Sequence, residues 1–236
     1  MSVALYLSRA RLRTGRGEAL SSIAPMLLKG DTNAQAGHAH RLVWLLFQDI
    51  PDATRDFLWR DEGAGKYMIL SNRPPSDPNG LFDLETKPFE PDLEAGQRLA
   101  FSMRVNPTKA RKETPVPGMP AKRERGKRVD IVMDALKGID RKQRALKRDE
   151  IAHSAVRSWL TEQGTKAGFA PSEKLLVESC SQVGVERKRG RPAGFSVLDI
   201  RGELTITDPA LFLAKLPKGF GSAKAFGNGL MLIRRA

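Results

Sequence analysis

His40 is the residue in this sequence whose side chain is best suited to moving a proton near neutral pH. A histidine titrates close to pH 7, so it can take a proton from a hydroxyl or deliver one to a leaving oxygen. The adjacent Arg41 could stabilise negative charge on a phosphate that reacts beside it. A single histidine on a helix is more often a surface or packed residue, and His38 and His153 are interpreted in that structural way. Residue type alone therefore makes His40 a candidate and no more.

Few other groups in the sequence could form a catalytic or metal centre. Cys180 is the single cysteine, which excludes an internal disulfide and any zinc site built from cysteines. His38 and His40 are two residues apart and would point to nearly opposite sides of a helix, so they could not easily share a metal. No carboxylate cluster suggests a two-metal nuclease, and no serine–histidine–aspartate arrangement stands out. We therefore expect a protein that works without a metal or another cofactor.

The charge of the chain points to a polyanionic partner. Among 236 residues, 40 are Lys or Arg and 27 are Asp or Glu, which gives a formal net charge of +13. This excess favours nucleic acid over an anionic membrane, because no basic amphipathic helix carries aromatic anchors. No apolar run is long enough to span a membrane, and the N-terminus lacks the cleavage site of a signal peptide. We expect a nucleic-acid-binding protein in the reducing cytoplasm, with no membrane partner.

A basic hairpin is predicted near residue 190. Residues 174–186 and 195–206 have strand composition, and the segment 187–194 between them has the sequence RKRGRPAG. A two-stranded ribbon can enter a nucleic-acid groove, and arginine can contact phosphates or guanine edges with two hydrogen bonds. The RNA major groove opens at helix ends, which favours docking at the base of a stem. A solvated turn is the alternative. The cations of this hairpin are Arg187, Lys188, Arg189 and Arg191.

A glycine-rich segment precedes the last predicted strand. Its sequence is GFGSAKAFGNGL over 219–230, and its order relative to that strand matches neither a P-loop nor a dinucleotide-binding fingerprint. Glycines allow close approach of the backbone, and exposed N–H groups together with Lys224 could hold a phosphate. A tight structural turn is the alternative, and the two interpretations are compatible. The glycines concerned are Gly219, Gly221, Gly227 and Gly229.

The first part of the sequence predicts the order strand, helix, strand, strand, short element, strand. Residues 3–12 have strand composition, and the apolar positions of 31–47, which include the stretch after His40, follow the helical period. Two segments on either side of Gly63–Gly65 predict a hairpin, and a further strand is expected near 82–89.

The second part predicts a similar order with an insertion. A strand is expected over 98–105, followed by a charged segment, 107–150, that carries 14 Lys or Arg and seven Asp or Glu. Its prolines and glycines indicate a loop that ends in a helix near 129–136. Helices over 151–163 and 209–216 and a final strand complete the order.

Two such β-α-β-β-α-β units in tandem predict an α+β fold of paired ferredoxin-like (RRM-like) domains, a common platform for RNA binding. We expect one domain over 1–92, which carries His40. The other is expected over 97–236, with the basic insertion 107–150, the hairpin 187–194 and the glycine-rich segment 219–229.

Several segments together resemble one known family, the CRISPR repeat-processing endoribonucleases of type I-E systems, called CasE. The similarity covers nearly the whole chain, and the combination of an Arg-x-Asn-Pro-x-Lys motif with the terminal glycine-rich segment is quite specific. The matching segments are YLSRARL (6–12), HRLVWLLF (40–47), PDATRDFLW (51–59), KPFEPDLEAGQRLAFSMRVNPTKAR (87–111), GKRV (126–129), GELTITDP (202–209) and GFGSAKAFGNGLMLI (219–233).

The resemblance implies a substrate and a chemistry. The substrate would be the repeat hairpin of the CRISPR precursor RNA, cleaved at the 3′ base of its stem without a metal. Attack by the 2′-OH would leave a 2′,3′-cyclic phosphate and a 5′-OH, and the enzyme would keep the mature crRNA together with other Cascade subunits. His40 falls where the family has its catalytic histidine, and 187–194 falls where it has its groove-docking hairpin. The matching segments add Lys109, Lys127 and Arg128 as expected RNA contacts.

One departure from the family leaves the second catalytic role open. Family members often carry a tyrosine three residues before the catalytic histidine, where this chain has Gly37. Arg41 or a lysine from elsewhere could fill that role. A non-catalytic RNA-hairpin-binding protein on the same scaffold is the alternative. A DNA-binding regulator is less well supported, because no recognition helix is evident.

Overall fold

The protein has a mixed α/β fold in which most strands belong to two four-stranded antiparallel sheets. The computed structural model describes residues 4–13, 32–50, 54–111, 127–185 and 193–236. The first sheet contains β1 (Tyr6–Leu12), β2 (Phe57–Gly63), β3 (Lys66–Ser71) and β4 (Phe82–Pro88). The second sheet contains β5 (Arg98–Val105), β8 (Phe169–Val185), β9 (Ala193–Ile206) and β10 (Met231–Arg235). A two-stranded ribbon is formed by β6 (Thr108–Arg111) and β7 (Lys127–Asp130). The helices are α1 (Thr32–Trp44), α2 (Ile131–Leu136), α3 (Arg144–Ala167) and α4 (Pro209–Lys215).

The first sheet has the strand order β2-β3-β1-β4 and carries α1 on one face. Alternate side chains of a strand point to opposite faces. Phe57 and Trp59 of β2 therefore pack in the core with α1, while Leu58 packs in the core of the second sheet. The predicted hairpin is confirmed, and Gly63 and Gly65 at its turn have positive φ values of 83° and 71°.

The segment between β3 and β4 differs from the helix of a complete β-α-β-β-α-β unit. The sequence predicted a short element there, but residues 72–81 form bends and turns with no helix. Three prolines in this segment restrict the backbone and remove N–H donors that a helix needs: Pro74, Pro75 and Pro78.

The second sheet has the strand order β10-β5-β9-β8, and α3 covers one of its faces. In each sheet, the first strand of the unit therefore lies between the third and the fourth. The predicted helix after β9 is confirmed as α4. Its cap is Asp208, which accepts a hydrogen bond from Leu211 N at 3.0 Å, and Pro209 occupies the first turn.

The predicted helix near 129–136 is confirmed as α2, which begins at Ile131, and the loop predicted from the prolines and glycines of 115–126 stays a prediction. Within the charged segment 107–150, β6 and β7 pair with each other, and α2 and the start of α3 also come from this segment. Val129 lies in β7 and not in the predicted helix. The change occurs at Asp130, whose side chain accepts hydrogen bonds from two N–H groups of the first turn of α2. Residues 112–126 lie outside the described residues.

The helix α3 is longer than the predicted 151–163. It begins at Arg144 and ends where Gly168 adopts a left-handed conformation with φ of 70°. The polar residues of its first turns obscured the helical period, which is clear only where Val156 and Leu160 enter the core.

Candidate functional site

His40 lies where α1 contacts the glycine-rich segment that precedes β10. The residue is in the C-terminal half of α1 and is half-buried. The centroid of its ring is 6.3 Å from that of Trp44 and 6.3 Å from that of Phe226. Its Nδ1 atom is buried and has no hydrogen-bond partner among the described residues. The fold thus joins two features that the sequence singled out separately.

The glycine-rich segment is a close-packed turn between the two sheets, and its four predicted glycines all have positive φ. At Gly221, a Cβ atom would lie 2.4 Å from the carbonyl oxygen of Asn106. At Gly227, a Cβ atom would lie 3.0 Å from the ring of Trp59, which belongs to the first sheet. Only glycine fits such positions without a shift of the backbone. These contacts support the interpretation as a structural turn, and the additional role in holding a phosphate stays a prediction.

Two cations from distant parts of the sequence lie near His40. Arg55, just before β2, and Lys224, in the glycine-rich segment, line one cleft of about 1240 Å³ between the two sheets. Nζ of Lys224 donates a hydrogen bond to the carbonyl oxygen of Lys218 at 2.6 Å. The predicted Arg41, by contrast, is exposed, and its Nε donates to a carbonyl oxygen of its own helix at 3.4 Å.

The surroundings of His40 favour its neutral form. Burial lowers the pKa of His40 below the ordinary value of 6.5, and a hydrogen bond with the backbone of Ala225 opposes this effect. The charges of Arg55 and Arg41 lower the pKa further. Burial also lowers the pKa of Lys224, and neighbouring cations act in the same direction. A neutral histidine beside positive charge can accept a proton next to a bound phosphate.

The predicted RNA contacts on the β6–β7 ribbon differ from one another. Nη1 of Arg128 lies 3.3 Å from Oγ of Ser222, which attaches the ribbon to the glycine-rich segment. Nζ of Lys109 lies 2.9 Å from a carboxylate oxygen of Asp134, which also pairs with Arg111 and Lys137, so this cluster keeps a positive charge. The side chain of Lys127 lies outside the described part of the structure.

The predicted basic hairpin can be followed only at its base. β8 and β9 pair up to Val185 and Ala193. The ring centroid of Phe195 in β9 is 5.8 Å from that of Phe226, so the base of this strand pair reaches the ring that contacts His40. The four cations lie in 186–192, outside the described residues: Arg187, Lys188, Arg189 and Arg191.

Two residues of this site, Arg55 and Phe226, were not singled out from the sequence. An arginine beside a strand and a phenylalanine among glycines carry no functional signal by themselves, because only the fold brings them to His40. His153 fits its structural interpretation, since its Nε2 lies 3.0 Å from the carbonyl oxygen of Leu175.

Within the ranges that the structure describes, no three His, Cys, Asp or Glu side chains form a group that could hold a metal ion. No helix in those ranges is long and apolar enough to cross a membrane. The expectation of metal independence stays a prediction.

Fold and site together define a two-sheet α/β protein with a histidine at the junction of its sheets and a cleft there that Arg55 and Lys224 line. The chain belongs to the CRISPR associated protein family, whose model matches residues 5–235. The resemblance to CasE noted in the sequence is thereby confirmed.

Relatives with names give the comparison more detail. The chain is 33% identical over 159 residues to the CRISPR-associated endoribonuclease Cse3 of Thermus thermophilus, a match covering 62% of this chain and 60% of that protein. It is 26% identical over 200 residues to the CRISPR system Cascade subunit CasE of Escherichia coli, covering 81% of this chain and 88% of that protein.

A solved structure shares the fold. Thermus thermophilus Cse3 bound to an RNA representing a pre-cleavage complex superposes with a TM-score of 0.65 at 21% identity. The match covers 98% of this chain and 99% of that chain. At this identity the likeness establishes the architecture and not the activity.

Proposed function

We propose that this chain is a metal-independent endoribonuclease that binds the hairpin of CRISPR repeat RNA and cleaves at the 3′ base of its stem. The observation that carries the proposal is His40, half-buried and within the electrostatic influence of Arg55, which lines a cleft between the two sheets together with Lys224. The net charge of +13 suits a polyanionic substrate. The names of the relatives, an endoribonuclease and a Cascade subunit, support the same substrate class.

We also propose that the two sheets are tandem ferredoxin-like domains over 1–92 and 97–236. The strand orders β2-β3-β1-β4 and β10-β5-β9-β8 support this division, because both place the first strand between the third and the fourth. The first domain departs from the complete unit in lacking a helix between β3 and β4. The separate hydrophobic core around α1 supports a boundary between β4 and β5.

In the proposed reaction, the 2′-oxygen attacks the adjacent phosphorus and the bond from phosphorus to the 5′-oxygen breaks. The products are a 2′,3′-cyclic phosphate and a 5′-OH. His40 takes the proton of the 2′-OH, in keeping with the lowered pKa that favours its neutral form. The 5′-oxygen takes a proton from water as it leaves, and His40 later returns its proton to solvent. Alignment of the 2′-OH with its phosphate supplies a large part of the rate, because free RNA samples that geometry rarely.

The basic hairpin 187–194 and the cations of the β6–β7 ribbon would bind the stem. Tight binding of the product stem would explain retention of the mature crRNA by the protein within Cascade, in the cytoplasm. The expected contribution of Arg41 to the reaction is less well supported, since its guanidinium hydrogen bonds within α1.

A non-catalytic RNA-hairpin-binding protein is the second candidate, and the tyrosines favour it. Gly37 takes the place of the family's tyrosine, and no other tyrosine replaces it within the described residues. Tyr67 is only 1% exposed and packs against Trp59 and Phe82 in the core of the first sheet. Tyr6 lies in β1, paired with Ser71.

Incubation of the purified protein with its host's CRISPR repeat RNA in EDTA distinguishes these candidates. The proposal predicts cleavage at one site, with a cyclic phosphate on the 5′ fragment. A matched RNA with a 2′-deoxy nucleotide before the cut should bind equally well and stay intact. Binding without cleavage of the normal RNA would favour the second candidate. Activity that requires Mg²⁺ would contradict metal independence.

A further inference from the structure

We infer that Arg55 and Lys224 form an anion subsite that holds the phosphate cleaved beside His40, so that Arg55 supplies the charge stabilisation first sought in Arg41. The inference rests on the proposed function and names the groups that bind the reacting phosphate. Both cations line the cleft between the two sheets, together with Lys218. They come from different sheets, so the subsite exists only in the assembled fold.

The charges of this subsite are uncompensated. Among the described residues, no carboxylate lies within ion-pair distance of Arg55 or Lys224. Arg55 is exposed and Lys224 is half-buried, and burial in the cleft lowers the pKa of both side chains. A bound anion would favour their charged forms. An RNA phosphate is the anion that the net charge and the family favour.

Carboxylates near the cleft do not supply the missing counter-charge. Asp56 follows Arg55 directly, but Nε of Arg73 donates to it at 2.9 Å. Glu90 and Asp92 also line the cleft, and neither forms an ion pair with a described residue. Within the described residues, Arg55 and Lys224 are therefore without an ion-pair partner although carboxylates line the same cleft.

Arg73 fixes the segment that presents Arg55. It binds Asp49 and Asp56, one at each end of the connection from α1 to β2. Its Nη2 also donates to the carbonyl oxygen of Phe47 at 3.0 Å, and its guanidinium carbon lies 5.2 Å from the centre of that ring. The ends of α1 and β2 are thus held together, which sets the position of Arg55 relative to the helix that carries His40.

Arg55 is better placed than Arg41 to act with His40. The charge of Arg55 lowers the pKa of His40 more than the charge of Arg41 does, although Arg41 is the sequence neighbour. Arg41 is also bound to the carbonyl oxygen of Gly37. Arg55 forms no ion pair with a described residue, and a guanidinium fork can contact two oxygens of one phosphate.

Single-turnover cleavage of the repeat RNA tests the subsite with three variants. Arg55→Ala should lower the rate about 10²-fold, as expected for loss of one group that stabilises the charged transition state. Arg55→Lys should recover part of that loss, because it restores the charge without the fork. Arg9→Ala is the matched control: it also removes one arginine, which is exposed and paired with Glu85 on the first sheet. Equal rates for Arg55→Ala and Arg9→Ala would overturn the inference.

NMR titration of His40 gives a readout that does not depend on cleavage. In the free protein, Arg55→Ala should raise the pKa of His40. Binding of the 2′-deoxy RNA should raise that pKa in the wild type and raise it much less in Arg55→Ala. The same shifts, together with failure of the wild type to cleave the normal repeat RNA, would retain the subsite while rejecting the endonuclease. If the pKa of His40 changes neither with Arg55→Ala nor with RNA binding, the subsite itself is rejected.

Discussion

The cations at the junction of the two sheets fall into two groups that differ in their counter-charges. Arg104 of β5 donates to both carboxylate oxygens of Asp199, at 2.9 Å and 3.0 Å, and to the carbonyl oxygen of Asp61 at 3.3 Å. Arg55 and Lys224 lie at the same junction without an ion pair to any described residue. Arg104 has its counter-charge within the fold, whereas Arg55 and Lys224 would need an external anion as their partner.

The pKa shifts also distinguish the paired Arg104 from the cations of the cleft, a distinction that the composition of the chain cannot make. Burial is the largest single effect on Asp199 and would raise its pKa, but the hydrogen bonds and charge of Arg104, the hydrogen bond of Ser179 and the charge of Arg60 together lower it. The pKa of Arg104 is raised by the same pair, so both groups stay charged when no ligand is present. The pKa values of the cleft cations are instead lowered. We therefore expect Arg55 and Lys224, and not Arg104, to contribute to binding of the reacting phosphate.

The largest expected effect concerns the cations of the hairpin 187–194. Replacement of all four with alanine should weaken RNA binding on the order of 10³-fold at 0.1 M salt and flatten its salt dependence, because each lost phosphate contact removes about 0.7–0.9 from the slope. The cleavage rate at saturating protein should change little. Filter binding across a salt series measures this, and an unaltered slope would remove the hairpin from the RNA site. The variant replaces Arg187, Lys188, Arg189 and Arg191.

A smaller effect is expected on the free energy of unfolding, which should differ between the variants Arg104→Ala and Arg55→Ala. Arg104→Ala breaks a partly buried pair, so the free energy of unfolding should fall by about 1–3 kcal/mol. Its cleavage rate at saturating RNA should stay close to that of the wild type while the protein is folded. Arg55→Ala should show the reverse, with normal stability and slow cleavage. Urea denaturation of both variants checks this, and equal destabilisation would break the comparison.

The smallest effect is expected for a change of pH near neutrality, which should alter the cleavage rate only slightly. A base must be neutral, and the pKa of His40 is lowered below 6.5. The value of kcat/KM should therefore fall about tenfold per pH unit below that pKa and be level above it. Removal of the positive charge in Arg55→Ala should move the inflection to higher pH. A rate that instead declines as pH rises through the inflection would assign His40 the role of acid.

The sequence predicted the strands, turns and helix ends that short-range patterns of residues determine. Alternation of apolar residues located β5 and the hairpin of β2 and β3, and Asp208 with Pro209 located the start of α4. The ribbon of β6 and β7 was missed, because its strands are four residues long and are separated by 15 residues. Strands this short leave no clear period.

The candidate site was predictable only in part, because its residues come from segments that are distant in the sequence. His40 and the glycine-rich segment were found separately, but nothing in either segment indicates that Phe226 contacts the histidine. Arg55 was not predicted either, since it became a candidate only because no described carboxylate forms an ion pair with it. Such an absence is a property of the folded junction and has no counterpart in composition or spacing.

The most direct test of the account compares single-turnover cleavage of the repeat RNA by the wild type and by His40→Ala in EDTA. The account predicts that His40→Ala binds the RNA with unchanged affinity and cleaves it about 10²–10⁴-fold more slowly, the usual contribution of a general acid or base. Cleavage by His40→Ala at the wild-type rate would contradict the central role of His40.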